Sequence, residues 1–375
     1  MVISGAGFGL ALSGELSRRK RHLEKLLQMT ILLKGEIRYG NTSLYDAFTG
    51  AAGKLDGKYR EFFLNTAEMM QTRKGENFGD LFRSCAEKTF GTAGLTPEER
   101  EKLYSLGDRL GYLGMDMQLK QLELAGGGTL TVYLRDCCER MPNVLDRPLV
   151  LVVPGGGYTH VSAREGDPVA LQFAAAGYHT AVLDYAICEK AKDHMPLRQL
   201  AEAIGLVRQH AAQWHILPEK IAVCGFSAGG HLALSGAVLD IPGEAAQPRP
   251  NAVILGYPVV MAGQYAHRGS FVQLAGSADP AAQQVFGLED KITPQMPPVF
   301  VWTTMEDATV PVENTLMLVN ALHRAGVPCE AHLFEKGVHG TSISTAEVDQ
   351  PSRHRHHWVE LAVEWLGDTF DWSVG

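Results

Sequence analysis

Between residues 17 and 39 apolar side chains return at helical spacing, as Leu23, Leu26, Leu27, Ile31 and Ile37, and the same period predicts further helices near 59–73, 78–89 and 96–111. The last of these opens on Thr96-Pro97-Glu98-Glu99. A threonine cap, a proline at the first helical position and a glutamate three residues past the cap can together satisfy amides that a first turn leaves without carbonyl partners. From Thr129 the pattern changes to short apolar runs punctuated by glycine and proline. A buried strand is predicted over 149–153, then a helix over 168–176, a strand over 179–185, a long helix over 197–214 and a strand over 221–223. Apolar runs at 299–302 and 331–334 predict two more strands. Strands alternating with helices imply an α/β fold, a mainly parallel, doubly wound sheet covered on both faces, preceded by an all-α domain.

Composition draws the same division near residue 124, just before Ala125-Gly126-Gly127-Gly128. Residues 1–124 hold one of the 18 prolines, one of the 14 histidines and none of the five tryptophans. The expected domains are therefore 1–124, helical, and 125–375, α/β. Of the net charge of −8, the first part contributes +2 and the second −10, so no general basic field exists to hold nucleic acid or an anionic membrane. The six cysteines show no C-x-x-C pair, which favours reduced thiols and a cytoplasmic setting. Val2 to Leu12 is apolar and is followed by Arg18-Arg19-Lys20-Arg21. That run is short of the ~20 apolar residues of a spanning helix, so the alternatives are a packed N-terminal helix and peripheral or anchored membrane association through residues 1–21.

The candidate chemistry lies in the second part. The predicted strand over 221–223 ends at Gly225-Phe226-Ser227-Ala228-Gly229-Gly230, a G-x-S-x-G pattern leading into an apparent helix. A turn this sharp needs small neighbours, and it lifts a serine hydroxyl above the sheet with helix N-terminal amides beneath it. Serine is a poor nucleophile unless a histidine takes its proton and a carboxylate orients that histidine. Downstream of the 299–302 strand stands Asp307, with Glu306 as the adjacent alternative, and downstream of the 331–334 strand stands His339 in Gly337-Val338-His339-Gly340. The order serine, acid, histidine is that of α/β-hydrolases. For the oxyanion, one amide is expected from Ala228 and the second from Gly156 or Gly157 in the loop Pro154-Gly155-Gly156-Gly157-Tyr158. That loop lacks the Lys-Ser/Thr ending of a phosphate-binding loop. Tyr158, beside this loop, is the candidate substrate contact.

Other features have competing readings. Arg164 and Glu165 can line the pocket mouth or form a structural ion pair, and Trp302 can be core or a sugar platform. His354, His356 and His357 are dense enough for a metal but lack a spaced partner, so no metal and no cofactor is expected. His22 and Cys85, the reactive types in the helical part, stand in no motif, and Cys137-Cys138 reads as a reduced pair.

Two resemblances add to this reading. The stretches Arg21-His22-Leu23 through Gly35 to Gly40, then Leu44 to Phe48, then Leu106-Gly107 through Gln118 to Leu124 are similar to the stage III sporulation protein AB family. That implies a small helical component of a sporulation membrane complex. Thr131 to Leu134, the Pro-Gly-Gly-Gly-Tyr loop, Ser162 to Asp167, Gly225 to Gly230, Pro297 to Asn314, Gly337 to Gly340 and Trp358 to Trp365 resemble α/β-hydrolase esterases of the acetylxylan and feruloyl esterase-like group. This second resemblance implies cofactor-free hydrolysis of small acyl esters, often acetyl groups on xylo-oligosaccharides. The competing functions are a serine peptidase of the prolyl oligopeptidase type and a sporulation assembly module carrying a passenger hydrolase.

Overall fold

The computed structural model describes residues 19–36, 44–72, 78–112, 117–135, 143–244, 247–348 and 350–374. The apolar N-terminal segment Val2 to Leu12 and the Cys137-Cys138 pair therefore lie outside the described residues. Among the described residues no helix is long and apolar enough to cross a membrane. The chain forms two compact units, dividing between Leu119 and Lys120.

The first unit is built from α1 (19–36), α2 (Leu44–Ala52), α3 (Gly57–Thr72), α4 (Phe78–Gly94) and α5 (Pro97–Tyr112). Its core is aromatic: Phe48, Phe62, Phe63 and Phe82 are buried together, with Phe48 and Phe63 ring centroids 4.8 Å apart and Phe62 edge-on to Phe82 at 5.0 Å. The helices over 19–36, Gly57–Thr72, Phe78–Gly94 and Pro97–Tyr112 follow the periodicity, whereas α2 is too short to have shown one. The α5 start is a reciprocal capping box. The Thr96 amide donates to Glu99 Oε2 at 2.8 Å, and the Glu99 amide donates to Thr96 Oγ1 at 3.3 Å.

The second unit is an eight-stranded sheet in the order β1-β2-β4-β3-β5-β6-β7-β8. Its strands are β1 (Met117–Leu124), β2 (Gly128–Arg135), β3 (Arg147–Val153), β4 (His179–Asp184), β5 (Ile216–Phe226), β6 (Ala252–Gly256), β7 (Val299–Thr304) and β8 (Cys329–Phe334). β2 runs antiparallel to β4, and every pairing from β4 through β8 is parallel. Connecting helices are α6 (Asp167–Ala175), α7 (Met195–Gln209), α8 (Ala211–Trp214), α9 (Ala228–Val238), α10 (Arg268–Ala275), α11 (Pro280–Gln284) and α12 (Glu313–Ala325); α13 (Arg353–His356) and α14 (Trp358–Phe370) follow. The central strands β3 and β6 are buried at every position, the continuous apolar run of a sheet covered on both faces.

Two details differ from the pattern reading. The glycine-rich run after Leu124 is a short turn, Ala125–Gly127, between two strands of this sheet, so strand structure begins before Thr129. The helix expected over 197–214 is broken at His210, which leaves α7 and α8 as separate segments. Replacing Thr96 by Ala removes one half of the capping box; we expect a loss of about 1 kcal/mol from the helical unit, read as a lower urea midpoint at unchanged slope.

Candidate active site

All the candidate groups sit on loops at the carboxyl ends of parallel strands, where an open α/β sheet forms its crevice. Ser227 occupies the turn between β5 and α9 with φ 53° and ψ −119°, a region costly for a residue with a side chain. Backbone bonds hold it there. The Ser227 amide donates to the Gly256 carbonyl at 3.0 Å, and its own carbonyl accepts from Val259 at 3.0 Å and His231 at 3.1 Å. A Cβ at Gly229 would stand 2.1 Å from the Val153 carbonyl oxygen, so only glycine lets α9 start this close to the end of β3.

Asp307, on the loop after β7, and His339, on the loop after β8, meet Ser227 here. His339 Nδ1 lies 2.6 Å from Asp307 Oδ2, and His339 Nε2 lies 2.8 Å from Ser227 Oγ. A carboxylate oxygen accepts, so Nδ1 carries the proton and Nε2 is left to accept the serine hydroxyl's. The Asp307 side chain is fully buried, and its other oxygen takes the amides of Thr309 at 3.0 Å and Val310 at 2.9 Å. Those bonds replace the water that a buried carboxylate has lost.

The loop after β3 passes beside the elbow. Gly156 has φ 125°, and a Cβ there would fall 2.0 Å from the His160 carbonyl oxygen, so the loop closes this tightly only with glycine. No backbone carbonyl among the described residues accepts from the amides of Gly156 or Gly157. Ala228 is the first residue of α9, where an amide has no intrahelical acceptor. The amides of Gly156, Gly157 and Ala228 thus have no backbone acceptor among the described residues.

Other candidates take different roles. Tyr158 is buried, 1% exposed, its hydroxyl lies 2.8 Å from His231 Nδ1, and its side chain packs into the core. Glu306, the alternative acid, instead accepts the Gly337 amide at 3.0 Å. Glu165 is buried rather than at a pocket mouth: its Oε2 accepts the Gly155 amide at 2.9 Å and its Oε1 accepts the Tyr257 hydroxyl at 2.7 Å. Trp302 is core, fully buried and stacked on Trp358 at 5.1 Å. His356 and His357 are spent on the Ile343 carbonyl and Glu360, and no group of three metal-ligating side chains occurs among the described residues.

Sequence reasoning missed Tyr257 and His267. The Tyr257 ring packs edge-on to His339 at 4.9 Å, and its hydroxyl accepts the Ser342 amide at 2.9 Å; burial, then Glu165, pushes its pKa well up. His267 lies near His339 and Asp307, and burial, reinforced by His339, holds its pKa below the usual value. Neither residue belongs to a motif, so no sequence signal was present.

The fold and the crevice are those of an α/β-hydrolase, and comparison with known proteins agrees. The family model of stage III sporulation protein AB matches residues 1–127, and that of BD-FAE matches residues 140–244. An α/β hydrolase enzyme from a Medee basin deep-sea metagenome library is 34% identical, with a TM-score of 0.58, over 68% of this chain and 99% of that one. The chain belongs to the α/β-hydrolase family. Endo-1,4-beta-xylanase B of Butyrivibrio fibrisolvens is 35% identical over 218 residues, which is 54% of this chain and 33% of that protein. Acetylxylan esterase of Xylanibacter ruminicola is 29% identical over 203 residues, 52% and 41% of the respective chains. The chain thus spans between one third and about two fifths of the length of these two curated relatives.

Two buried histidines make stability in this unit depend on pH. His231 Nε2 lies 2.8 Å from the Phe286 carbonyl, and His179 Nε2 lies 3.2 Å from that of His215, so each ring donates there and accepts at Nδ1. Burial drives both to a pKa of about 4. Above pH 6.5 both states are neutral and nothing is lost; as pH falls from 6.5 towards 4 only the unfolded chain takes up these protons, which destabilises the fold by up to about 3 kcal/mol per histidine. We expect the urea midpoint of this unit to drop between pH 7 and pH 5, and His179→Gln to flatten the slope.

Proposed function

We propose that the α/β unit is a serine esterase that hydrolyses small acyl esters, acetyl esters foremost, through an acyl-enzyme. The observation that carries this reading is the single imidazole of His339 spanning Ser227 Oγ at 2.8 Å and Asp307 Oδ2 at 2.6 Å. Ser227 Oγ attacks the ester carbonyl carbon while its proton passes to His339 Nε2. The carbonyl oxygen takes the negative charge and is held by the amides of Ala228 and of Gly156 or Gly157, donors that need no reorganisation as charge develops. His339 then gives its proton to the departing alcohol oxygen, the C–O bond breaks, and the acyl group remains on Ser227. Water repeats the sequence, losing its proton to His339 and releasing the acid. Asp307 keeps His339 in the required tautomer and offsets its positive charge when protonated. No step calls for a metal or cofactor.

The kinship with an acetylxylan esterase supports an acetylated xylo-oligosaccharide as substrate. For the helical unit, the match to a sporulation protein supports a second role, attachment to components of a sporulation membrane complex, with the hydrolase unit as its cargo. Retention of those components by the full chain carrying Ser227→Ala, at wild-type level, is the outcome expected if attachment and chemistry are separate.

The esterase reading is tested by p-nitrophenyl acetate hydrolysis. We expect Ser227→Ala to lower kcat by about 10⁶, to background, and Asp307→Asn by about 10⁴. A folded wild-type chain without activity would sink the proposal, and Glu306→Gln being as damaging as Asp307→Asn would reassign the acid.

A further inference from the structure

His267 is a polar side chain at the crevice that the acyl-enzyme chemistry does not use. It immediately precedes α10 and is half-buried, and its Nδ1 lies 2.8 Å from Ser270 Oγ. Ser270 is fully buried, and His267 is the one hydrogen-bond partner of its hydroxyl among the described residues. A buried hydroxyl proton left without an acceptor costs more than a well-made bond returns. The hydroxyl therefore donates to Nδ1, and the ring's own proton sits on Nε2. That Nε2–H has no partner among the described residues and is not sealed from solvent.

The ring's place in the crevice follows from Gly157. A Cβ built there would meet His267 Cε1 at 3.6 Å, Ser270 Oγ at 3.9 Å and Thr159 Oγ1 at 3.9 Å. The three atoms nearest to that position thus belong to His267, Ser270 and Thr159, which places the His267 ring beside this glycine loop. An alcohol rich in oxygen atoms would find hydrogen-bonding groups there, the His267 Nε2–H and the Thr159 hydroxyl oxygen.

We propose that His267 is a substrate-positioning residue, whose Nε2–H donates a hydrogen bond to an oxygen of the sugar that carries the acyl group. The inference rests on the esterase reading and narrows it to carbohydrate esters. Ser270 acts through His267 by selecting the tautomer. Burial keeps His267 neutral near pH 7, so it grips a neutral sugar without adding a charge beside His339 at the moment His339 becomes protonated.

The test compares steady-state kinetics of the full chain on acetylated xylobiose and on p-nitrophenyl acetate, which has no sugar oxygens. For His267→Phe, kcat/KM on the sugar ester should fall about tenfold relative to kcat/KM on p-nitrophenyl acetate, with the loss in KM rather than kcat. His267→Gln places an amide N–H near the Nε2 position and should restore the sugar-ester KM to within about threefold. Ser270→Ala, which frees the tautomer, should fall between the two. Equal loss of kcat on both esters in His267→Phe would overturn the proposal, because His267 would then serve the reacting carbonyl; so would a sugar-ester KM that does not respond, or a wild type that cleaves only p-nitrophenyl acetate. A folded wild type inactive on both esters would instead overturn the esterase reading itself.

Discussion

A carboxylate buried among three loops sets the terms for the whole crevice. Glu165 is 3% exposed and meets the Gly155 amide through one oxygen and the Tyr257 hydroxyl through the other, while that hydroxyl accepts the Ser342 amide. The three segments follow β3, β6 and β8. A buried charge is tolerated only when its lone pairs are met, so none of these segments can drift without exposing an unpaired group in a low-dielectric site. The constraint places the glycine loop, the Tyr257 ring beside His339 and the segment after His339 in one register. Ser342 extends it further, accepting the Trp358 indole N–H through its carbonyl at 2.9 Å and donating its hydroxyl to the Arg164 carbonyl at 2.6 Å.

Two subsidiary networks hold what Glu165 does not reach. Tyr158 donates to His231, and His231 donates to the Phe286 carbonyl, which ties the glycine loop to α9 and to the segment before β7. The His339 loop is clamped at Gly337: Glu306 accepts its amide, and Thr304 donates its hydroxyl to the carbonyl at 2.6 Å. Arg355 adds bonds to the Lys336 and Gln350 carbonyls. Precision of this kind belongs to a site whose donors must stand ready before charge develops. In the helical unit His22 contacts the Tyr59 hydroxyl, and the Cys85 thiol faces the Met69 sulfur.

How much of this was legible from the chain alone depended on the range of each signal. The α5 start was readable because a capping box closes within four residues. The elbow was readable because its tight turn excludes side chains from neighbours only two positions away. Asp307 and His339 stood out by following strands in a fixed order, though 112 residues separate His339 from Ser227 and nothing local could state the 2.8 Å contact between them. By contrast, β1 carries no strand signal of its own; its sequence Met-Gln-Leu-Lys-Gln-Leu-Glu-Leu reads equally as helix, and its place in the sheet beside β2 decided the matter.

The sequence by itself therefore determined the α/β class, the helical first part, the nucleophile turn and the candidate chemistry, each read from a signal within a turn or a strand or from the order in which strands and residues follow one another. Only the tertiary structure decided that Tyr158 turns into the core, that Glu165 is a buried tether, that Glu306 serves the backbone rather than His339, and that His267 joins the crevice. Each of those outcomes is set by which distant polar group must be satisfied once water is excluded, and that requirement exists only after the chain has packed.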